Sequence, residues 1–151
     1  MNHGRNISLL ITCMDYRLHQ RANGRNVVAE FTRRFIAADC DLSARAGGIL
    51  PLALPEKIGP NSDAAVLRDL DVSVNLHGAK NIFILAHEDC GAYKAIAKFA
   101  NSDDEFECLR RDLLRAREII IQKFPGVVIR LFIAKLKKGS VDDFSSIAEL
   151  V

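Results

Sequence analysis

The chain has 151 residues, 49% hydrophobic and 26% charged, the balance of an ordinary globular protein long enough to bury a core without covalent staples. Lys and Arg number 21 against 19 Asp and Glu, so a net charge of +2 offers no field that would recruit nucleic acid or an anionic membrane surface. Trp is absent and aromatics are 7%, which argues against base stacking, and no apolar run approaches the roughly 20 residues that span a bilayer.

In chain order, the apolar run over 7–12 predicts a central parallel strand. It meets Cys-Met-Asp rather than a small-residue cleavage site, so the opening reads as strand rather than signal peptide, and the chain as cytoplasmic. Residues 26–38 place Val27, Val28, Phe31, Phe35 and Ile36 at helical spacing. A short strand over 40–44 runs into Gly47-Gly48, the signature of a tight turn or close approach. Residues 49–60, with three prolines, predict an irregular connection, and the apolar part over 49–58 is expected to pack on a second subunit. Asn61 or Ser62 is expected to cap a helix reaching Leu76 and ended by Gly78.

The clearest buried strand spans 81–86, followed by a helix over 92–100. Ser102-Asp103-Asp104-Glu105 reads as a capping-box start for a helix reaching Phe124, which Pro125-Gly126 stops. A third strong strand covers 127–133, residues 137–140 turn, and the last residues add a short strand or a final helix. Strands alternating with helices predict an α/β three-layer sandwich, a mostly parallel central sheet of four to five strands flanked by helices, in a single domain over 1–151. In such sheets ligands bind beyond the carboxyl ends of the strands, where strand order reverses.

Two strand ends carry unusual chemistry. After the first strand stand Cys13, Asp15 and Arg17; if extended geometry persists, alternation puts them on one side. After the strand over 81–86 stand His87 and Cys90, spaced H-x-x-C across a strand-to-helix turn. Zinc accepts Cys sulfur and His nitrogen in tetrahedral geometry, and three protein ligands with an open fourth position form the catalytic pattern. Cys13, His87 and Cys90 supply three ligands. Asp15 either fills the fourth position or hydrogen-bonds a bound water, held by a bidentate contact from Arg17.

Alone, a strand-end Cys is more often a small buried residue, and Asp15 with Arg17 only a surface ion pair; their joint placement at two strand ends favours a site. Cys40 and Cys108 read as packing residues, His3, His19 and His77 as surface or packing residues without matched partners, and Lys135, Lys137 and Lys138 as a solvated turn.

Cys13-Met14-Asp15-Tyr16-Arg17 resembles the C-x-D-x-R motif of the β-class carbonic anhydrases, and His87-Glu88-Asp89-Cys90-Gly91 their H-x-x-C-G motif. Ala46-Gly47-Gly48 lies where that family carries its R-N-A-G-G turn, with Ala44-Arg45 in place of Arg-Asn, and the likeness covers residues 7–139. The resemblance implies a zinc enzyme that reversibly hydrates carbon dioxide to bicarbonate, as a homodimer or higher homo-oligomer. By residue match, Cys13, His87 and Cys90 bind Zn2+, and Asp15 and Arg17 form the family's catalytic dyad, the aspartate itself a zinc ligand in some members. For the family's aromatic and Gln pocket residues the candidates are Tyr16, Tyr93 or residues from a partner subunit. Three alternatives stand beside this reading: a non-catalytic zinc protein serving assembly or partner binding, a relative acting on carbon disulfide, and a thiol enzyme using Cys13 or Cys90.

Overall fold

The computed structural model describes residues 7–151, so His3 and the opening of the chain lie outside the described residues. Five strands form one sheet in the order β2-β1-β3-β4-β5: β1 Ile7–Cys13, β2 Asp39–Arg45, β3 Asn81–His87, β4 Val128–Leu136 and β5 Phe144–Leu150. The first four pair in parallel, Leu10 of β1 lying opposite Leu42 and Phe83. β5 closes the edge antiparallel to β4, which decides between the two expected endings in favour of a strand. Because β1 lies between β2 and β3, strand order reverses there, and the crevice beyond the ends of β1 and β3 is the place for a ligand.

Helices cover both faces, giving the expected three-layer α/β architecture. Helix α1 (Val27–Phe31), widening into a π turn over Thr32–Ile36, lays Phe31 and Phe35 against Phe132, and Phe31 also meets Phe83. The Asn26 side chain accepts the Ala29 N–H at 2.8 Å and caps this helix, and Ala37, left-handed at φ 51°, ends it. On the opposite face Lys135 of β4 lays its ammonium over Phe106, 5.2 Å from the ring centroid; Phe106 belongs to the long helix Ser102–Lys123. Lys135 therefore belongs to the sheet, and only Lys137 and Lys138 of the three lysines are exposed.

Several expectations give way. Residues 49–60 hold two short helices, α2 Leu50–Ala53 and α3 Pro55–Ile58, each with a proline in its first turn, where the missing N–H costs nothing. Ile49, Leu50, Leu52, Ala53 and Leu54 are buried within the chain's own core, so most of the apolar stretch expected to meet a second subunit is spent internally, and Ile58 alone of its large apolar residues stays exposed. Helix α4 (Ala64–Asp71, continuing as a π turn over Val72–Leu76) starts later than Asn61 or Ser62. Asn61 stands left-handed at φ 59°, and the Ser62 hydroxyl turns back toward the carbonyls of Pro51 and Pro55.

The helix expected over 92–100 is the single turn α5, Gly91–Lys94; beyond it the Ile96 and Ala97 N–H groups both fall on the Tyr93 carbonyl and the helix unwinds. The long helix, α6 (Ser102–Lys123), is capped by Asn101, whose side chain accepts the Asp104 N–H at 3.0 Å. Glu105 thus does not close a capping box but reaches elsewhere. Among the described residues no helix is long and apolar enough to cross a membrane.

Candidate metal centre

Cys13 is the last residue of β1, His87 the last of β3, and Cys90 the extended residue that opens α5. Their three ligand atoms lie within 4.8 Å of one another, and all three residues are buried. The two sulfurs stand 3.9 Å apart. Two thiolates bound tetrahedrally to one zinc ion at 2.3 Å would stand about 3.8 Å apart, so the pair already matches the edge such an ion requires.

The imidazole is equally prepared. His87 Nδ1 lies 2.8 Å from the Glu88 carbonyl oxygen, which can only accept. The ring proton is therefore on Nδ1, and Nε2 presents its lone pair. Nε2 is buried with no hydrogen-bond partner. A buried acceptor left unpaired is rare, and a cation among the three donors is what this one fits.

The sulfurs are coupled. They share a hydrogen bond that either thiol can donate, and it draws the Cys13 thiol below its ordinary value against the opposing effect of burial. The same hydrogen bond, then burial, push Cys90 the other way. A divalent cation would need both sulfurs as thiolates, so its binding would compete with the protons they carry. The Gly47 N–H also points at Cys13 Sγ, at 3.4 Å. Gly48 is left-handed at φ 60°, and a Cβ there would come within 3.0 Å of the Thr12 carbonyl carbon and 3.1 Å of the Cys13 nitrogen, so the glycine turn is a true close approach to the end of β1.

Asp15 and Arg17 do share the site with Cys13, but not by strand alternation. Extended pairing ends when the Met14 N–H reaches the Arg45 carbonyl, and the chain then turns. Asp15 Oδ1 accepts the Arg17 backbone N–H at 2.9 Å, a local turn that folds the two side chains together. The guanidinium grips both carboxylate oxygens, Nε to Oδ1 at 2.9 Å and a terminal nitrogen to Oδ2 at 2.7 Å. Asp15 Oδ2 stands 3.9 Å from His87 Nε2, at the rim of the three-ligand cluster. Burial raises the Asp15 carboxyl, but the bonds from Arg17 outweigh it and leave the group below the usual carboxylate range.

Several residues of this site carry no motif. Asp89 takes a second arm of Arg17 at 2.8 Å, and its carbonyl takes another at 2.9 Å. Asp89 stands left-handed at φ 59°, a conformation that Asp tolerates better than most residues. His19 Nε2 donates to the Cys13 carbonyl at 2.8 Å, and His77 pairs with Asp41 at 2.7 Å, so both histidines have partners after all. Phe144 stands edge-on to the His87 ring, with the Arg17 guanidinium over its own ring. Of the two aromatic candidates, Tyr16 is 69% exposed and Tyr93 1%. Tyr93 is a core residue, its hydroxyl pushed up by burial and then by Asp112. Cys40 and Cys108 stay outside the cluster, both thiols raised by burial.

Residues 3–141 match the model of a family described as "Putative carbonic anhydrase". An uncharacterized protein of Rickettsia bellii (strain RML369-C) is 27% identical over 132 residues, 85% of this chain and 76% of that protein. Among solved structures, the β-carbonic anhydrase CcaA superposes with a TM-score of 0.60 at 16% identity, covering 97% of this chain and 78% of that one. The carbonic anhydrase of Streptococcus mutans gives 0.53 at 22%, over 95% and 80%. A β-carbonic anhydrase of Sordaria macrospora, described as tetrameric, gives 0.50 at 15%, over 97% and 80%. At these identities the solved structures establish the fold, while the family match spans most of the sequence. The chain therefore belongs to the carbonic anhydrase family, as a divergent member with the β-class fold.

Proposed function

We propose that this protein is a zinc-dependent carbonic anhydrase that reversibly hydrates carbon dioxide to bicarbonate, with Cys13, His87 and Cys90 as the metal ligands. The observation that carries this reading is the buried, unpartnered Nε2 of His87 facing two sulfurs set 3.9 Å apart. Zinc bound there supplies a Lewis acid that brings a water's pKa down to about 7.

The chain's own residues do the rest. Asp15 is ionised and oriented, with Arg17 on both its oxygens, which favours a role as a hydrogen-bond acceptor over direct ligation. From its place 3.9 Å from Nε2 it would accept a hydrogen bond from the attacking water and so turn an oxygen lone pair toward the carbon of carbon dioxide. Arg17 keeps Asp15 from taking up a proton.

Stopped-flow measurement of carbon dioxide hydration by zinc-loaded protein tests this reading. The parent accelerates hydration in proportion to bound zinc; Cys13→Ser loses both metal and rate; Asp15→Asn keeps the metal and loses about a hundredfold in rate. No zinc-dependent acceleration at any pH above neutral overturns the proposal. The tetrameric relative from Sordaria macrospora supports a homo-oligomer as the working unit. Sedimentation at micromolar concentration checks it, and a monomer would count against it.

A further inference from the structure

His87 and Cys90 are three residues apart, and in a chain that simply stayed extended an odd separation would send their side chains to opposite faces. They converge because the chain reverses between them. Asp89 is the reversing residue, at φ 59°, a conformation that residues with a Cβ seldom take. Something must hold it there, and every polar atom of its backbone is held. Arg17 takes the carbonyl at 2.9 Å. The N–H donates to Oε1 of Glu105 at 2.7 Å, and Glu105, in the first turns of α6, is only 7% exposed. The neighbouring residue is fixed as well: the Glu88 N–H meets the Ala134 carbonyl, and the Glu88 carboxylate takes the Leu136 N–H. The segment between the two metal ligands is thus anchored to β4, to the turn after β1 and, through Glu105 alone in these hydrogen bonds, to α6.

We infer that Glu105 is a positioning residue of the metal centre: by accepting the Asp89 N–H it fixes the left-handed kink that brings Cys90 back beside His87. Its work is that of an acceptor, so Gln can replace it and an apolar side chain of similar length cannot. The inference rests on the ion site of the proposed function and concerns metal affinity rather than turnover.

The test compares zinc affinity, by chelator competition, in the parent, Glu105→Gln and Glu105→Met. Methionine suits the helix and its buried surroundings, so the fold is expected to survive, as circular dichroism of the metal-free protein checks. Glu105→Met weakens zinc binding by about 10- to 100-fold, the range for losing a group that orients a metal ligand, while Glu105→Gln stays within about threefold of the parent. Equal affinity in parent and Glu105→Met, or equal loss in both variants, overturns the inference and leaves the proposed function standing. A parent that binds no zinc overturns both. Amide hydrogen exchange of the metal-free parent gives a second measurement that needs no variant: the Asp89 N–H is expected to be protected, and exchange at the rate of an open loop overturns the inference.

Discussion

Arg17 has five N–H donors on its guanidinium, and each has an acceptor: both oxygens of Asp15, the carboxylate and carbonyl of Asp89, and the carbonyl of Val141. Its guanidinium ties together the turn after β1, the segment between His87 and Cys90, and the approach to β5. Replacing it by Met would leave the largely buried Asp15 without its cation and Asp89 with Lys94 alone. We expect Arg17→Met to lose about 3–5 kcal/mol of stability in urea denaturation of the metal-free protein. The pH dependence has a definite sign. Burial raises both carboxyls; for Asp15 the bonds from Arg17, and for Asp89 those from Lys94 and then Arg17, outweigh it, so both titrate below their ordinary value when folded. Groups with a depressed folded pKa add stability above the unfolded value of about 3.9, and lose it as the pH falls through the folded pKa. The parent should therefore destabilise as the pH drops below about 4, and Arg17→Met should show a much shallower decline. An unchanged slope would mean that other carboxylates govern acid unfolding.

At the scale of elements, the turn at Gly48 helps decide where Cys13 stands. Gly48 presses on the backbone of Thr12 and Cys13 in a left-handed conformation, so Gly48→Ala adds both strain and a clash at the end of β1. We expect it to weaken zinc binding and lower the melting temperature together, as calorimetry and chelator competition would read. Ala37 presents the opposite case, an exposed residue held at φ 51° at the end of α1, where Gly costs no strain. Ala37→Gly should raise the melting temperature by about 2–4 °C, if it recovers about 1 kcal/mol. The strands and the clustering of Cys13, His87 and Cys90 were legible because their signals are local: apolar runs such as 81–86, and thiol or imidazole residues at their carboxyl ends. The glycine turn was legible for the same reason. Helix extents were not, since α5 stops when its carbonyl at Tyr93 is shared, and α2 and α3 form because Pro51 and Pro55 land in first turns over a buried face. The hydrogen bonds that orient the site were not legible either: Glu105, Val141 and His19 act through atoms that only the folded chain brings near Asp89, Arg17 and Cys13.

Over the whole molecule, the sheet order converts two distant segments into one site. β1 and β3 are neighbours although Cys13 and Cys90 are 77 positions apart, and the reversal of strand order opens space beyond both ends. An ion there would tie the end of β1 to the start of α5 and satisfy the buried Nε2 of His87. Since binding to the folded state alone stabilises it by RT ln(1 + [L]/Kd), free zinc at a thousand times Kd should add about 4 kcal/mol. For a chain of this length that corresponds to about 8–16 °C in melting temperature. The proper control is Cys13→Ser combined with Cys90→Ser, which keeps the fold's volume but removes both sulfurs. Scanning calorimetry should then show a melting temperature that falls on chelation in the parent and stays put in the double variant. A parent indifferent to chelator would leave the two sulfurs and the imidazole as a buried polar cluster held by the sheet alone, and the unpaired nitrogen as a standing cost to the fold.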